Sequence, residues 1–570
     1  MRSRVKLLFL AAVAAAVLVA PSAAWADATL SPGLAEQAAA NPDQMFKVIV
    51  QGQRGKSSQN MAAEVHGQGR NVKRLFRSIQ GVSADLSGKE VLKLAEKNGI
   101  LAISVDQPVR IALGLPPLGP VYASTQRWPY ASGVAKFWQQ LFFGSPASMG
   151  NPPTIAIVDS GVDPSRPDLA GRVLREVDLV SLPENSAHDG RGHGTFVASI
   201  AAGSGALNAG VAPNAKLVSI DVVDDTGMGM TSDVIAAADW ILANKATYNI
   251  RVANFSLHGS QQSTFRFDPL NMAVEKLWFS GVVVVAAAGN YGGTEEGVLY
   301  SPGNDPFVIT VGAVDLNNSI NTQDDFAAPW SAYGSTLDGF AKPEISAPGR
   351  FMVGAVPLLS TLSLERPDRL VNPGYLLMSG TSFAAPIVAG TAAYILARHP
   401  SFTPDQVKGA LMVTARPTPL AVPGSTGVGE VAADKAVAVD NPPNPNLALN
   451  QFVVADPAGG SVFDQATWTT YASANPAWDA ATWTTATWTT ATWTTATWTT
   501  AAWSAATWVS ATWTSATWTT ATWTTATWTT NGSATWTTNA ESEANPTLGE
   551  YYDPVEKAAA EAELGITPIP

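Results

Sequence analysis

From Thr154 onward the chain alternates nearly unbroken apolar runs with longer stretches in which apolar residues return at helical spacing. The runs "TIAIVDSG", "KLVSIDVV", "RVANFSL", "VVVVAAAGN" and "VITVGAV" predict strands. A stretch from His193, then "SDVIAAADWILANK" and "LNMAVEKLWFSG", predict helices between them. Strands that are Val, Ile or Ala at almost every position, and not at every second one, are buried on both faces. Their alternation with helices implies an α/β fold, a parallel sheet wrapped by helices. Two more helices close the region. One begins within "MSGTSFAAPIVAG" (Met378 to Gly390). The other begins at Thr403-Pro404-Asp405-Gln406, a capping box with proline at the first helical position.

A smaller α+β pattern precedes this region. "MFKVIV" (Met45 to Val50) predicts a strand, and a polar helical stretch containing "RNVKRLFRSI" follows it. "SGKEVLKLAEKNG" predicts a helix with Ser87 as N-cap, Glu90 completing a capping box and Gly99 as the stop. "ILAISVDQPVRIAL" closes the module as a strand, so its core spans about 45–113 within a unit of 27–115. Residues 114–150 are rich in Pro, Gly, Ser and aromatics and read as a connection to a larger domain at 120–440. "NPPNPNLALN" (Asn441 to Asn450) marks 441–465 as a linker by composition.

Residues 466–538 form a low-complexity region in which "ATWTT" recurs, with Trp at every fifth position from Trp478 to Trp528 and Trp468 and Trp536 flanking the array. Three readings suit it: a pentapeptide solenoid with Ala-x-Trp facing inward, a stalk that adheres to cell wall or other chains, or an expansion without a role. An extended strand with an odd repeat would turn successive Trp to opposite faces, which favours association. Residues 539–570 are an acidic tail, with seven acids and one lysine from Glu541 onward.

The 570-residue chain has a formal net charge of −12, which argues against a nucleic-acid partner. It has no cysteine, which excludes disulfides, thiolate nucleophiles and Cys-ligated metals. Arg2, Arg4 and Lys6 precede the apolar run Leu7 to Ala20, and Ala24-Trp25-Ala26 supplies small residues around a cut. That order describes a secretory signal peptide at 1–26, and the run falls short of the roughly 20 residues a spanning helix needs. Export is therefore expected, with no membrane span after signal cleavage.

Open parallel sheets place their chemistry at the carboxyl ends of the strands. Asp159 ends the first strand, and Asn290 follows "AAAG" at the end of the fourth. His193 lies between glycines at a helix start, and Ser382 lies where the helix in "MSGTSFAAPIVAG" begins. Four polar groups suited to acyl transfer therefore fall on one expected rim. Singly each has an ordinary structural explanation, as a cap, a turn former or a structural histidine.

Together, "IAIVDSGVD", "GHGTFVASI", "VVVAAAGN" and "MSGTSFAAPIVAG" resemble the catalytic and oxyanion segments of subtilisin-like serine proteases, in the same Asp, His, Ser order. The resemblance implies that Ser382 is the nucleophile, His193 the base, Asp159 its orienting carboxylate and Asn290 an oxyanion donor. It also implies a substrate-binding edge at Ser256, Leu257, His258 and Gly259, with His258 where relatives carry glycine. The module at 45–113 resembles the family's inhibitory propeptide, which implies a cut between Leu113 and Gln126. No organic cofactor is expected. Structural calcium is common in such proteins, but Asp224, Asp225, Asp324 and Asp325 form no EF-hand-like loop, and no metal site is assigned. The expected function is a secreted serine endopeptidase made as a self-processing zymogen, with polypeptide substrates and its own propeptide as inhibitor. The alternatives are a non-catalytic protease-like adhesin displaying the repeat, or a processing protease with one partner substrate.

Overall fold

A computed structural model describes residues 28–111, 126–138, 151–205, 208–292 and 297–474, together with short strands between 491 and 537. The signal segment at 1–26 and the acidic tail at 539–570 lie outside the described residues.

The N-terminal unit contains strands β1 (Thr29–Leu30), β2 (Met45–Gly52), β3 (Val72–Phe76), β4 (Gly81–Ser87) and β5 (Ile100–Val105), with helices α1 (Leu34–Ala40), α2 (Ser58–His66) and α3 (Gly88–Ala95). The strands form one sheet in the order β1-β5-β2-β4-β3. Val48, Val50, Val82, Leu86, Val91, Leu94 and Ile103 fill a core of its own beneath the helices. The Ser87–Glu90 cap is present, Glu90 Oε2 accepting from the Ser87 N–H at 2.7 Å.

Two sequence expectations fail in this unit. "RNVKRLFRSI" is not helical: α2 ends at His66, and Val72–Phe76 is a strand paired antiparallel with β4. Val72 and Arg74 are half-buried and Phe76 buried, while Lys73 and Leu75 lie exposed, an alternation hidden among basic residues. "ILAISVDQPVRIAL" is also not one strand. It breaks at Asp106-Gln107, and a separate strand, β6 (Pro108–Ile111), pairs outside the unit's own sheet. Ser232 N–H donates to Asp106 Oδ1 at 2.9 Å, and Thr231 donates to the Gln107 carbonyl through its N–H and its hydroxyl, at 2.8 and 2.6 Å. These bonds fix the break.

The larger unit contains β7 (Thr154–Asp159), β8 (Val173–Asp178), α4 (His193–Ala202), β9 (Leu217–Asp221), β10 (Met228–Met230), α5 (Thr231–Tyr248), β11 (Ile250–Phe255), β12 (Leu257–Gly259), α6 (Pro269–Phe279), β13 (Val283–Ala287), β14 (Ile309–Asp315), β15 (Phe326–Ala327), β16 (Ile345–Pro348), α7 (Thr381–Arg398) and α8 (Pro404–Thr414). Strands β8-β9-β7-β11-β13-β14 are parallel in that order; β16 adds parallel to β14, and β15 pairs antiparallel with it. β7, β9, β13 and β14 are buried along their whole length, as the unbroken apolar runs require. Helices α4 and α7 pack on each other, as do α5 and α6, and together they cover the sheet.

The segment after Asp440 is packed, which corrects the expectation of a linker at 441–465. Leu449, Phe452, Phe463 and Trp468 are all buried and belong to the main core cluster. A hairpin of β17 (Val453–Ala455) and β18 (Ser461–Phe463) is followed by α9 (Gln465–Ala474). Trp468 is therefore a core residue and not a flank of the repeat. Its ring stacks on Phe340 and meets Phe265 edge-on. Within the repeat region, backbone pairing is antiparallel and local, as in Thr525–Thr530 with Gly532–Thr537.

Candidate active site

His193 is the first residue of α4 and is fully buried. Gly192 before it adopts φ 93°, the left-handed region that disfavours side chains. Gly194 after it leaves no room either, since a Cβ there would lie 2.0 Å from the Gly161 carbonyl oxygen. The two glycines of "GHG" thus let the helix start press against the loop after β7. That contact brings His193 Nδ1 to 2.6 Å from Asp159 Oδ1, with both side chains wholly buried. The Ser160 N–H also donates to Asp159 Oδ1, at 2.8 Å. With Nδ1 committed to the carboxylate, His193 Nε2 is buried and has no hydrogen-bond partner among the described residues.

Asp189, four residues before His193, was not singled out in the sequence. Its carboxylate accepts four hydrogen bonds: from the Ser160 hydroxyl (2.9 Å), the Gly192 N–H (2.6 Å), and the Thr195 N–H (2.7 Å) and hydroxyl (2.5 Å). It ties the start of α4 to the end of β7 and so sets the position of His193. Burial pushes its pKa up to about 7, against hydrogen bonds that favour the charged form. An unfolded Asp titrates near 4, so between about pH 4 and 7 the folded chain binds the extra proton. The stability that Asp189 contributes is therefore expected to be full below pH 4 and to fall as the pH rises to about 7. The stability difference between wild type and Asp189→Asn, followed by chemical denaturation across that range, should shrink with rising pH and then level off. A difference that grows with pH would refute this.

Ser382 is the second residue of α7, is fully buried, and lies beside Phe383, whose ring is 5.4 Å from that of His193. Its hydroxyl donates to the Ser256 carbonyl oxygen at 3.1 Å. Pro386 lies in the second helical turn, so it removes a helical bond: the one its N–H would make to the Ser382 carbonyl. The Ser256 hydroxyl takes that place, donating to Ser382 O at 2.8 Å, and Asn254 Nδ2 donates in turn to Ser256 Oγ at 2.8 Å. Ser256, expected on the substrate edge, thus also grips the helix start that carries Ser382. Gly380 is extended, at φ 165°, and makes no tight turn.

Asn290 follows β13. Its Oδ1 accepts from the Thr381 N–H (2.9 Å) and hydroxyl (3.0 Å), which fixes the amide so that Nδ2 is the outward donor. That Nδ2 is buried and has no partner among the described residues. The first-turn N–H groups of α7 point out of the same helix end, where the helix dipole favours negative charge. A base nitrogen, a hydroxyl and an amide donor are thereby assembled around one helix start, a set able to perform acyl transfer.

Leu257, His258 and Gly259 form β12, and β6 of the N-terminal unit pairs antiparallel with it: Leu257 with Ile111, His258 with Arg110, Gly259 with Val109. The other edge of β6 pairs antiparallel with β10, from Met228 with Arg110 to Met230 with Pro108. His258 is half-buried and packs against Tyr291 and Tyr300. Among the described residues no three His, Asp or Glu side chains converge to hold a metal ion, and no helix is long and apolar enough to cross a membrane.

The family model "Subtilase family" matches residues 150–440. The chain is 37% identical over 293 residues to serine protease AprX of Bacillus subtilis, covering 50% of this chain and 66% of that one. It is 33% identical over 391 residues to subtilisin NAT of Bacillus subtilis subsp. natto, covering 67% of this chain and 88% of the relative. A subtilisin of Bacillus pumilus is 40% identical over 267 residues, 46% of this chain and 82% of its own. With Asp, His and Ser segments converging on one end of a parallel sheet, the chain belongs to the subtilase family and is a serine-type endopeptidase.

Proposed function

We propose that the protein is exported as a self-inhibited precursor and that Ser382, His193, Asp159 and Asn290 carry its chemistry. A polypeptide lies extended between β10 and β12, adding a strand to each. Ser382 Oγ attacks the carbonyl carbon as its proton passes to His193 Nε2, and Asp159 holds the imidazolium that forms. The oxyanion receives hydrogen bonds from Asn290 Nδ2 and the Ser382 N–H. The C–N bond then breaks, and His193 returns the proton to the leaving amine. Water attacks the acyl-enzyme by the same route in reverse roles and frees Ser382. No cofactor enters any step.

The observation that carries the precursor reading is the position of β6. It occupies both strand edges that an extended substrate would use, and it is the last strand of a separately cored N-terminal unit. The described pairing ends with Ile111 opposite Leu257, and the next residue along that edge is Ser256, whose carbonyl accepts from Ser382 Oγ. The bond after Ala112 is therefore the proposed cut, one bond before the interval expected from the sequence, which lies almost wholly outside the described residues. Export is supported by the charged start, apolar run and small-residue site of residues 1–26.

Intact-mass analysis of the purified chain, sampled while peptide hydrolysis is followed, tests this. Activity should appear after a lag, in step with a product whose N-terminus is Leu113. A chain that is fully active while still carrying the N-terminal unit would overturn the proposal.

A further inference from the structure

We infer that residues 452–468, beyond the catalytic domain, form a second docking surface for the chain's own N-terminal unit, holding it in place in addition to the strand in the cleft. The inference rests on the precursor reading above. The β17–β18 hairpin is anchored to the enzyme: Phe452, Phe463 and Trp468 are buried in the main core, and Lys276 of α6 pairs with Asp456 and donates to the Gly459 carbonyl at 2.9 Å. It therefore stays behind when the N-terminal unit departs.

The face that the hairpin offers is polar and matches the departing unit. Gln80, in the turn between β3 and β4, donates from Nε2 to Asp456 Oδ2 at 3.1 Å, with both side chains buried. Gln80 has φ 45°, a left-handed conformation uncommon for a non-glycine residue, at the point of contact. Arg54 donates to the Ala455 carbonyl at 2.7 Å and lies 3.6 Å from Asp464. One residue stretch thus receives both a buried charge-assisted hydrogen bond and a guanidinium from the same unit. Next to it Gln51, fully buried on β2, donates to the Phe267 carbonyl at 3.2 Å, just before α6. The Gln80–Asp456 bond carries most of the effect, because it is buried and charge-assisted, while the exposed Arg54–Asp464 pair adds little.

The consequence is a brake on activation. After the cut, the N-terminal unit has to leave both the cleft and the hairpin before substrate can enter. Arg54→Ala/Gln80→Ala tests this in the full chain, since both changes lie in the part that is removed and the mature enzyme is identical. The interval between completed cutting and full peptidase activity should shorten about tenfold. An unchanged interval would overturn the inference. Should that chain fail to fold, hydrogen exchange of wild type before and after maturation decides: amides of 453–464 should exchange about tenfold faster once the unit is gone, and equal rates would overturn it. Full activity of the uncut wild-type chain would instead remove the inhibitory reading, and the exchange result would still settle whether the unit docks on the hairpin.

Discussion

Ser382→Ala is expected to lower peptide hydrolysis by about 10⁶-fold and to leave the full chain uncut, with an unchanged fold. The magnitude is the scale associated with loss of the nucleophile in subtilisin itself, a relative of this chain. The structural reason is that the two hydroxyls tied to this helix start are engaged elsewhere. Ser256 Oγ is committed to the Ser382 carbonyl, and the Thr381 hydroxyl to Asn290 Oδ1. Once the N-terminal unit has been stripped off by added protease, the loss should appear in kcat, because β10 and β12, which would align substrate, are untouched. Steady-state kinetics on a peptide, with gel analysis of the purified chain, would show it. A variant that still cuts itself at the wild-type rate would mean another residue attacks the bond.

Glu344→Ala is expected to destabilise the fold by about 3–5 kcal/mol, because it strips the shared counter-ion from two buried lysines. Glu344 Oε1 accepts from Lys342 Nζ at 2.6 Å and from Lys408 Nζ at 2.9 Å, while Oε2 accepts from the Thr310 N–H at 2.8 Å. All three charged groups are buried. Burial alone would raise the Glu344 pKa, but Lys342 and Lys408 outweigh it and hold the carboxyl below its ordinary value. A depressed carboxylate contributes stability above its unfolded pKa and loses that contribution as the pH falls, so wild type should weaken at acid pH by this route. Burial lowers Lys342 to about 8 even with Glu344 beside it. Without the carboxylate, Lys342 sheds its proton at lower pH than in wild type, so the deficit of Glu344→Ala should narrow as the pH rises towards about 8 and level off above it. Chemical denaturation in the Ser382→Ala background, which prevents self-digestion, measures both arms. A deficit below about 1 kcal/mol, or one that widens at alkaline pH, would contradict this reading of the network.

The site was legible where local pattern and chemistry coincide. Asp159, His193, Asn290 and Ser382 each sit where an apolar run meets a glycine-rich turn, and the strand–helix alternation alone sends those turns to one sheet edge. What escaped notice depends on partners distant in sequence. Asp189 is an unremarkable loop acid until four donors converge on it. Edge strand β8, "VLREVD", has mostly exposed or half-exposed positions and so lacks the apolar run that marks the central strands. β6 reads as a continuation of β5 because Pro108-Val109-Arg110-Ile111 is strand-like on its own, and only pairing with β10 and β12 separates it. The segment 441–465 reads as a linker because its Pro and Asn content is loop-like, yet Leu449, Phe452 and Phe463 find room in the core. Trp468 was hidden further by the tryptophans that follow it, which look like one uniform series.

The account stands on a nucleophile at position 382 activated by His193 and uncovered by removal of the N-terminal unit. Treatment of the matured enzyme with a fluorophosphonate, followed by peptide mass mapping, tests that directly. The prediction is one label per chain, on Ser382, lost in His193→Ala stripped of its N-terminal unit by added protease, and much slower to form in chains that still hold that unit. Label on any other residue, or equal labelling of His193→Ala, would contradict it.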